Sequence, residues 1–204
     1  MREGLRSLLE KQSGVEVIAE AENGRTAVRL CSELKPDVVI MDITMPDLNG
    51  VEATRQIISE NPGIKVVGLS VHSDHQFVEG MLKAGSSGYL LKDCAFQDVI
   101  SAVQAAAANE IYLSPRVAGF VVEGYLRSAA KGESSVSAAL TAREREVLQL
   151  LAEGKSRSQV AEILHLSPRT VETHRREIMY RLDIHNTADL IKYAIREGLT
   201  SLET

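Results

Sequence analysis

The order of short apolar runs and helical patterns in the first half of the chain restricts the fold more than any other feature. Val38–Met41, Ile64–Leu69 and Gly88–Leu91 are short and almost wholly apolar, which is typical of strands buried on both faces. Val15–Ala21 also has the pattern of a strand. Helical spacing of apolar residues covers Arg2–Gln12, Gly24–Leu34, Asn49–Ser59, His75–Ala84 and Phe96–Ala108. Strands that alternate with helices predict an α/β fold, with a parallel sheet between two layers of helices.

The second half of the chain has no strand signal and predicts helices alone. The expected helix starts share capping residues and lie at Ser114-Pro115, Thr141 with Glu144, Ser156 with Gln159, Ser167-Pro168 and Asn186-Thr187. Lys131–Ala139 is rich in small, polar and charged residues, which favours a linker. We therefore predict one domain over residues 1–109, a linker helix and flexible linker over 110–139, and an all-α domain over 140–204.

Composition excludes several classes of protein. The chain has 204 residues, of which 44% are hydrophobic and 25% charged, with a net charge of -5, as in ordinary globular domains. No apolar run reaches the ~20 residues of a membrane span, and the charged start resembles no signal peptide, so we expect a cytoplasmic protein with no membrane partner. Cys31 and Cys94 have no metal-binding or redox spacing and are expected to be free thiols.

Three polar side chains follow successive predicted strands. Asp42, Ser70 and Lys92 come directly after Val38–Met41, Ile64–Leu69 and Gly88–Leu91. In open α/β sheets ligands bind beyond the carboxyl ends of the strands, so these side chains are expected to converge there. A carboxylate can accept a phosphoryl group as a nucleophile, while a lysine and a hydroxyl stabilise its charge.

The segments VVIMDITMPDLNG, VVGLS and GYLLKD resemble the receiver domain of two-component response regulators, over nearly all of residues 1–109. The resemblance implies a doubly wound, flavodoxin-like sheet. It also implies that Asp42 is phosphorylated by a sensor histidine kinase, that Ser70 and Tyr89 act as the switch pair, and that Lys92 contacts the phosphoryl group. Asp42 and the backbone carbonyl of Thr44 would be ligands of Mg²⁺.

The beginning of the chain departs from the receiver pattern. Receivers begin with a strand that ends in two acidic residues, whereas this chain starts at Met1 in what resembles the following helix. The metal site is then incomplete, because Mg²⁺ prefers a full oxygen shell, so binding is expected to be weak or absent. The missing strand would lie inside the sheet, between Val15–Ala21 and Val38–Met41. We therefore expect residues 1–109 alone not to form a stable, closed sheet, and a start upstream of Met1 that encodes the strand.

The tail contains a second pattern, in which Ser156–Leu164 and Pro168–Leu182 are helices joined by a three-residue turn. This is helix-turn-helix spacing. On the second helix Val171, Ile178 and Leu182 form the core stripe. The opposite face carries Arg169, Glu172, Thr173, Arg176 and Tyr180. Arginine and threonine can contact base edges there, although a solvated charged face would show the same residues.

The segment LTAREREVLQLLAEGKSRSQVAEILHLSPRTVETHRREIMYRL resembles the LuxR-type helix-turn-helix. That resemblance implies a recognition helix over Pro168–Leu182, with Glu172, Thr173 and Arg176 facing the bases. The side chains expected to contact the DNA backbone are Lys155, Arg157, Arg169, Arg175 and Arg181. The residues that resemble the family's dimerisation helix are Leu190, Ile191, Ala194 and Ile195, which could equally be domain core.

A receiver followed by this helix-turn-helix resembles the NarL/FixJ subfamily of response regulators. The first hypothesis is a homodimeric, sequence-specific transcription regulator that is switched by phosphorylation and whose partners are promoter DNA, a sensor histidine kinase and RNA polymerase. The second keeps DNA binding but makes the receiver degenerate and independent of phosphorylation. The third hypothesis is a phosphatase-type enzyme that uses Asp42 as a nucleophile. It is disfavoured, because such enzymes carry a second acid two residues after the nucleophile, where this chain has Thr44.

Overall fold

The structure is a computed structural model that describes residues 2–71, 75–131 and 140–200. Its helices are α1 (Arg2–Leu9), α2 (Gly24–Leu34), α3 (Gly50–Glu60), α4 (His75–Lys83), α5 (Phe96–Ala107), α6 (Pro115–Lys131), α7 (Ala142–Ala152), α8 (Arg157–Ile163), α9 (Pro168–Arg181) and α10 (Thr187–Arg196). Its strands are β1 (Val38–Asp42), β2 (Lys65–Ser70), β3 (Gly88–Leu91) and β4 (Tyr112–Leu113). Within these ranges no helix combines the length and the apolar character needed to span a bilayer.

The four described strands form one parallel sheet in the order β1-β2-β3-β4. Successive residues of β2 alternate between two cores, with Val66 on one face of the sheet and Val67 and Leu69 on the other. The first core is covered by α2, α3 and α4, and the second by α5 with Leu5 of α1. The predicted parallel α/β fold with helices on both faces is confirmed.

The predicted strand over Val15–Ala21 is wrong, because this segment has no regular secondary structure. A strand requires a hydrogen-bonded neighbour, and no described strand pairs with the segment. Side chains of α1 hold it instead: Arg6 Nη1 donates to Glu20 Oε1 at 2.9 Å, and Arg2 Nη1 donates to the Ala21 carbonyl at 3.1 Å.

Strand β1 has one hydrogen-bonded neighbour among the described strands, so it forms an edge of the sheet. Val38, Val39 and Ile40 are accordingly only half-buried, whereas β3 is buried throughout. The receiver pattern places a further strand on that side of β1, and this is the strand whose pattern is missing from the sequence of the chain. The expectation that residues 1–109 alone are unstable stays a prediction, and the open edge is its structural basis.

Strand β4 corrects the prediction that no strand follows residue 109. It pairs in parallel with β3, with Tyr112 opposite Gly88 and Leu113 opposite Tyr89. Immediately after it, Val117 of α6 is fully buried in the core covered by α2, α3 and α4. The sheet and its core therefore reach beyond residue 109, although the division of the chain at that residue stays a prediction.

The helical domain begins where the capping patterns predict. Thr141 and Ser156 each accept a hydrogen bond from the backbone three residues on, and Glu144 and Gln159 return it. Val171 and Ile178 of α9 are fully buried and Leu182 packs against the same core, which confirms the predicted stripe. The predicted linker over Lys131–Ala139 lies outside the described residues from 132 onward.

Candidate functional site

The strand ends bring Asp42 and Lys92 into direct contact. Lys92 Nζ donates to Asp42 Oδ2 at 2.6 Å, and both side chains are partly exposed. The other carboxylate oxygen, Oδ1, accepts from the Thr44 backbone N–H at 3.2 Å. A partly exposed carboxylate that is paired with one ammonium group is accessible to a phosphoryl donor and has a cation beside it to balance the added charge.

Parallel pairing explains why these side chains meet. Ser70 is opposite Leu91, and the Lys92 N–H donates to the Ser70 carbonyl at 2.7 Å, which places the ends of β2 and β3 at one height. Ser70 and Tyr89 are both buried, Tyr89 completely. Ser70 therefore lies at the strand ends that carry Asp42 and Lys92, whereas Tyr89 lies earlier in β3, opposite Gly68 of β2.

Two glycines allow the loop after Asp42 to pack tightly against helix starts. A Cβ atom on Gly50 would lie 2.1 Å from the Asp42 carbonyl oxygen, and one on Gly24 would lie 2.2 Å from the Leu48 carbonyl oxygen. The Gly50 N–H also donates to the Ile43 carbonyl at 2.8 Å. The position of the loop is thus fixed by close backbone contacts at the start of α2 and α3.

The described residues do not fit a metal site at Asp42 in which several protein side chains are ligands. They contain no group of three His, Cys, Asp or Glu side chains that could hold a metal ion. Mg²⁺ requires a regular shell of oxygen ligands, and here one carboxylate oxygen is already bound to Lys92 Nζ. Receiver domains generally bind Mg²⁺.

The loop after Asp42 is also bound by the helical domain, through Gln149 of α7. Gln149 is 1% exposed. Its Oε1 accepts from the backbone N–H of Asn49 at 3.0 Å and from Asn49 Nδ2 at 3.1 Å, and its Nε2 donates to the Met45 carbonyl at 3.2 Å. Asn49 also caps α3, since its side chain accepts from the Glu52 N–H at 2.9 Å. One amide side chain therefore connects the helical domain to two points of this loop, Met45 and Asn49.

Two buried carboxylates extend the contact between the domains. Glu52 of α3 accepts from Arg145 Nε at 2.8 Å. Glu146 of α7 accepts from Arg25 Nη2 at 3.0 Å and from Gln56 Nε2 at 3.2 Å. Each charge has a partner across the interface. Separation of the domains would break these ion pairs, but it would expose both partners to water and leave no buried charge without a partner.

The end of the helical domain forms a third contact. Asn49 Nδ2 donates to the Leu199 carbonyl at 3.2 Å, and a Cβ on Gly198 would lie 2.9 Å from the Phe77 ring of α4. Sequence reasoning missed this whole interface. A single sequence shows that α7 carries polar residues beside its apolar stripe, but it cannot show which surface they meet.

The exposed face of α9 carries the residues predicted to face DNA bases. Arg157, Arg169, Glu172, Thr173 and Arg176 line one concavity of about 600 Å³ at the start of α8 and α9. Arg176 is 77% exposed, while the contacts with the sheet domain lie on α7 and after α10. The helix-turn-helix therefore presents this surface to solvent even when the two domains are docked.

Two predicted DNA-backbone residues lie elsewhere. Arg181 Nη1 donates to Glu144 Oε2 at 2.7 Å. Burial raises the pKa of Glu144, but the bonds from Thr141 and Arg181 outweigh it and lower the pKa overall. Lys155 Nζ lies 3.9 Å from Asp47 Oδ1, so it faces the loop after Asp42. Arg175 Nη1 lies 3.5 Å from Glu172 Oε1, and its Nη2 donates to Thr187 Oγ1 at 3.3 Å.

Helix α10 corrects part of the predicted dimerisation surface. Leu190 and Ala194 are buried in the core of their own domain, so they cannot contact a second copy in this arrangement. Ile191 and Ile195 are only partly buried. Of the four residues predicted for dimerisation, Ile191 and Ile195 therefore remain available for a dimer contact.

Comparison with known proteins agrees with both halves of the structure. Residues 1–104 match the response regulator receiver domain, and residues 138–194 match the luxR family of bacterial regulatory proteins. The transcriptional regulatory protein LiaR of Bacillus subtilis (strain 168) is 38% identical over 98% of this chain and 94% of its own length. The transcriptional regulatory protein DegU of Brevibacillus brevis is 36% identical over 97% of this chain and 89% of its own length.

Among solved structures, a LuxR-family two-component response regulator from Aurantimonas sp. SI85-9A1 is 34% identical, with a TM-score of 0.59 over 61% of this chain and 89% of that one. The chain therefore belongs to the two-component response regulators. Within them it has the NarL/LuxR-type arrangement, a receiver domain followed by a LuxR-type DNA-binding domain, and its relatives are DNA-binding transcription regulators.

Proposed function

We propose that this protein regulates transcription through a DNA-binding domain that is released from the receiver when Asp42 is phosphorylated. The observation that carries the proposal is the contact of Gln149 with the loop after Asp42. A chemical change at Asp42 alters the conformation of that loop, and Gln149 is bound to the loop at Met45 and Asn49. The phosphoryl group and the DNA-binding domain are thus coupled through one short segment.

The phosphoryl transfer needs a nucleophile and a neighbouring cation. A carboxylate oxygen of Asp42 forms a bond to phosphorus while the bond to a phosphohistidine nitrogen of the sensor kinase breaks, and the leaving imidazole takes up a proton. The Lys92 ammonium, 2.6 Å from Asp42 Oδ2, balances the added negative charge. Ser70, at the end of the neighbouring strand β2, and the buried Tyr89 of β3 are the side chains proposed to respond to the new oxygens.

Release changes what the DNA-binding domain can do, although α9 is exposed beforehand. In the docked state α7 and the segment after α10 are held on the receiver, which fixes the orientation of α9. Undocked domains of two copies can pair and place two recognition helices at half-sites of a promoter. The proposed partners are thus promoter DNA, a sensor histidine kinase, a second copy of the chain and RNA polymerase, all in the cytoplasm.

A second candidate is a regulator that binds DNA without phosphorylation. It is favoured by the donor set at Asp42, because the described residues offer no cluster of side chains for a metal ion. In that case dimer concentration or another protein would set promoter occupancy.

Labelling separates the two candidates. The full chain is incubated with radiolabelled acetyl phosphate, with Mg²⁺ and then with the metal chelated. We expect label on the wild type and none on Asp42→Asn, because the amide is not a nucleophile. Asp47→Asn is the matched control: it removes a carboxylate from the same loop and leaves label in place, since asparagine also adopts the positive φ of 66° found there. Label that persists on Asp42→Asn would contradict the assignment, and an unlabelled wild type would support the second candidate.

Arg176→Ala tests the DNA-facing surface. Arg176 is exposed, so the domain should fold without it, and loss of a base contact should cost about 1–3 kcal/mol on the preferred site and relax one position. Arg175→Ala, at the edge of the surface, should weaken binding to all sequences alike and reduce the salt dependence. Binding is measured on preferred and random duplexes. Equal losses on both for Arg176→Ala would place this residue among the phosphate contacts instead.

A further inference from the structure

Three guanidinium groups surround the carboxylate of Glu172 on the DNA-facing surface. Arg176 Nε lies 3.1 Å from Oε1, Arg175 Nη1 lies 3.5 Å from Oε1, and Arg157 Nη1 lies 3.2 Å from Oε2. The Glu172 side chain is only 21% exposed, whereas the side chains of Arg157 and Arg176 are mostly exposed. The cluster connects two helices, because Arg157 begins α8 and the others belong to α9.

The charge of Glu172 is maintained by these arginines. Burial raises the pKa of its carboxyl group, but the bonds and charges of Arg176, Arg175 and Arg157 outweigh burial and lower the pKa overall. The carboxylate is therefore ionised at neutral pH. With one negative and three positive charges, the cluster keeps a net positive charge toward a DNA polyanion.

A carboxylate in this state is poorly suited to contact a base itself. It already accepts hydrogen bonds from Arg157 Nη1 and Arg176 Nε, and the Arg175 guanidinium group lies 3.5 Å from the oxygen that Arg176 contacts. The amino group of a cytosine would have to compete with these three cationic groups for access to the carboxylate. Each guanidinium group, by contrast, has several N–H donors and directs only one of them at Glu172, so the arginines keep donors for DNA.

We infer that Glu172 is a positioning residue that determines DNA sequence specificity by holding the guanidinium groups of Arg157 and Arg176 in place, rather than by contacting a base. This inference rests on the proposed DNA-binding function of α9. Long arginine side chains lose rotamer freedom when they bind, and part of that cost is removed when a carboxylate has already ordered them. Without Glu172, the same arginines turn to the phosphates, which are present in every sequence.

The test compares Glu172→Gln with the wild-type full chain. A preferred duplex is first selected by the wild type from a random library, and affinities for it and for random DNA are then measured over a salt series. We expect Glu172→Gln to lose about 10-fold on the preferred duplex. On random DNA its affinity should stay the same or rise, with a steeper salt dependence, because the freed arginines contact more phosphates.

Glu177→Gln is the matched control. It removes the same charge from the same helix, but Glu177 is 55% exposed and its carboxylate lies 3.8 Å from His174 rather than among the arginines. We expect its ratio of preferred to random binding to equal that of the wild type. In the Arg157→Ala/Arg176→Ala background, Glu172→Gln should change this ratio no further, since the groups through which it acts are gone.

Four results would overturn the inference, the last of them together with the proposed DNA-binding function. If Glu172→Gln and Glu177→Gln both raised the affinity for the preferred and the random duplex by the same factor, Glu172 would act only through long-range repulsion of DNA. A loss confined to one base pair, and retained in the double-arginine background, would make Glu172 a base-contacting residue. If the wild type selects a sequence and Glu172→Gln keeps the same ratio of preferred to random binding, the DNA-binding function stands but Glu172 does not determine specificity. A wild type that selects no sequence would instead overturn the DNA-binding function, and this inference with it.

Discussion

Gln149→Ala should weaken the docking of the DNA-binding domain on the receiver by about 3 kcal/mol, or roughly 100-fold in the docking equilibrium. The substitution removes three hydrogen bonds to the Asn49 and Met45 backbone and side chain, at a position that is almost wholly buried. A buried donor left without a partner costs about 1–3 kcal/mol. The Asn49 backbone N–H would be such a donor, and Asn49 Nδ2 would keep only its hydrogen bond to the Leu199 carbonyl. The domains can avoid that cost by separating.

Small-angle X-ray scattering of the unphosphorylated full chain checks the prediction, and the variant should have a larger radius of gyration than the wild type. DNA affinity, measured in parallel without phosphodonor, should rise toward that of the phosphorylated wild type. Gln104→Ala makes the same chemical change at an exposed position of α5, away from the interface, and should leave both quantities unchanged. Identical scattering of the wild type and Gln149→Ala would show that this contact does not hold the domains together.

Gly50→Ala should destabilise the receiver by about 3 kcal/mol or more, which is a large part of the ~5–15 kcal/mol that stabilises a domain. The added Cβ atom would lie 2.1 Å from the Asp42 carbonyl oxygen and 2.9 Å from the Ile43 Cα atom, both in the backbone. Backbone atoms cannot turn aside as a flexible side chain can. Relief requires α3 to move away from β1, which also displaces Asp42 and Asn49.

Thermal and urea unfolding of the full chain measure this effect, with the transition of the receiver followed by hydrogen exchange in β2 and β3. Gly63→Ala is the matched control, because a Cβ atom there would meet nothing within 4 Å. We expect the control to unfold within about 0.5 kcal/mol of the wild type. A Gly50→Ala receiver as stable as the control would mean that the close approach of α3 to Asp42 is easily relaxed.

Local patterns predicted most of the fold because their signals are contained in a few consecutive residues. The apolar run at Val38–Met41 became β1, and the capping boxes at Thr141 and Ser156 begin α7 and α8. Asp42 and Lys92 could be paired from sequence, since parallel strands bring their carboxyl ends to one edge of the sheet.

The errors concern contacts between distant parts of the chain. Val15–Ala21 has the alternation of a strand, but a strand also needs a neighbour, and the pattern contains no information about one. Tyr112–Leu113 is too short to give a signal of its own and becomes β4 only because β3 lies beside it. The position of Gln149 against Asn49 joins residues 100 positions apart and depends on how two complete domains fit together.

The contact between Gln149 and the loop after Asp42 has a consequence for the flow of information through the molecule. If phosphorylation at Asp42 favours the undocked state, thermodynamic linkage requires that a ligand of the undocked state favour phosphorylation by the same factor. Operator DNA that binds two undocked copies is such a ligand. Binding to a promoter would then raise the equilibrium level of phosphorylation at Asp42 in the bound copies. The promoter DNA would therefore act as an allosteric effector of the protein as well as its target.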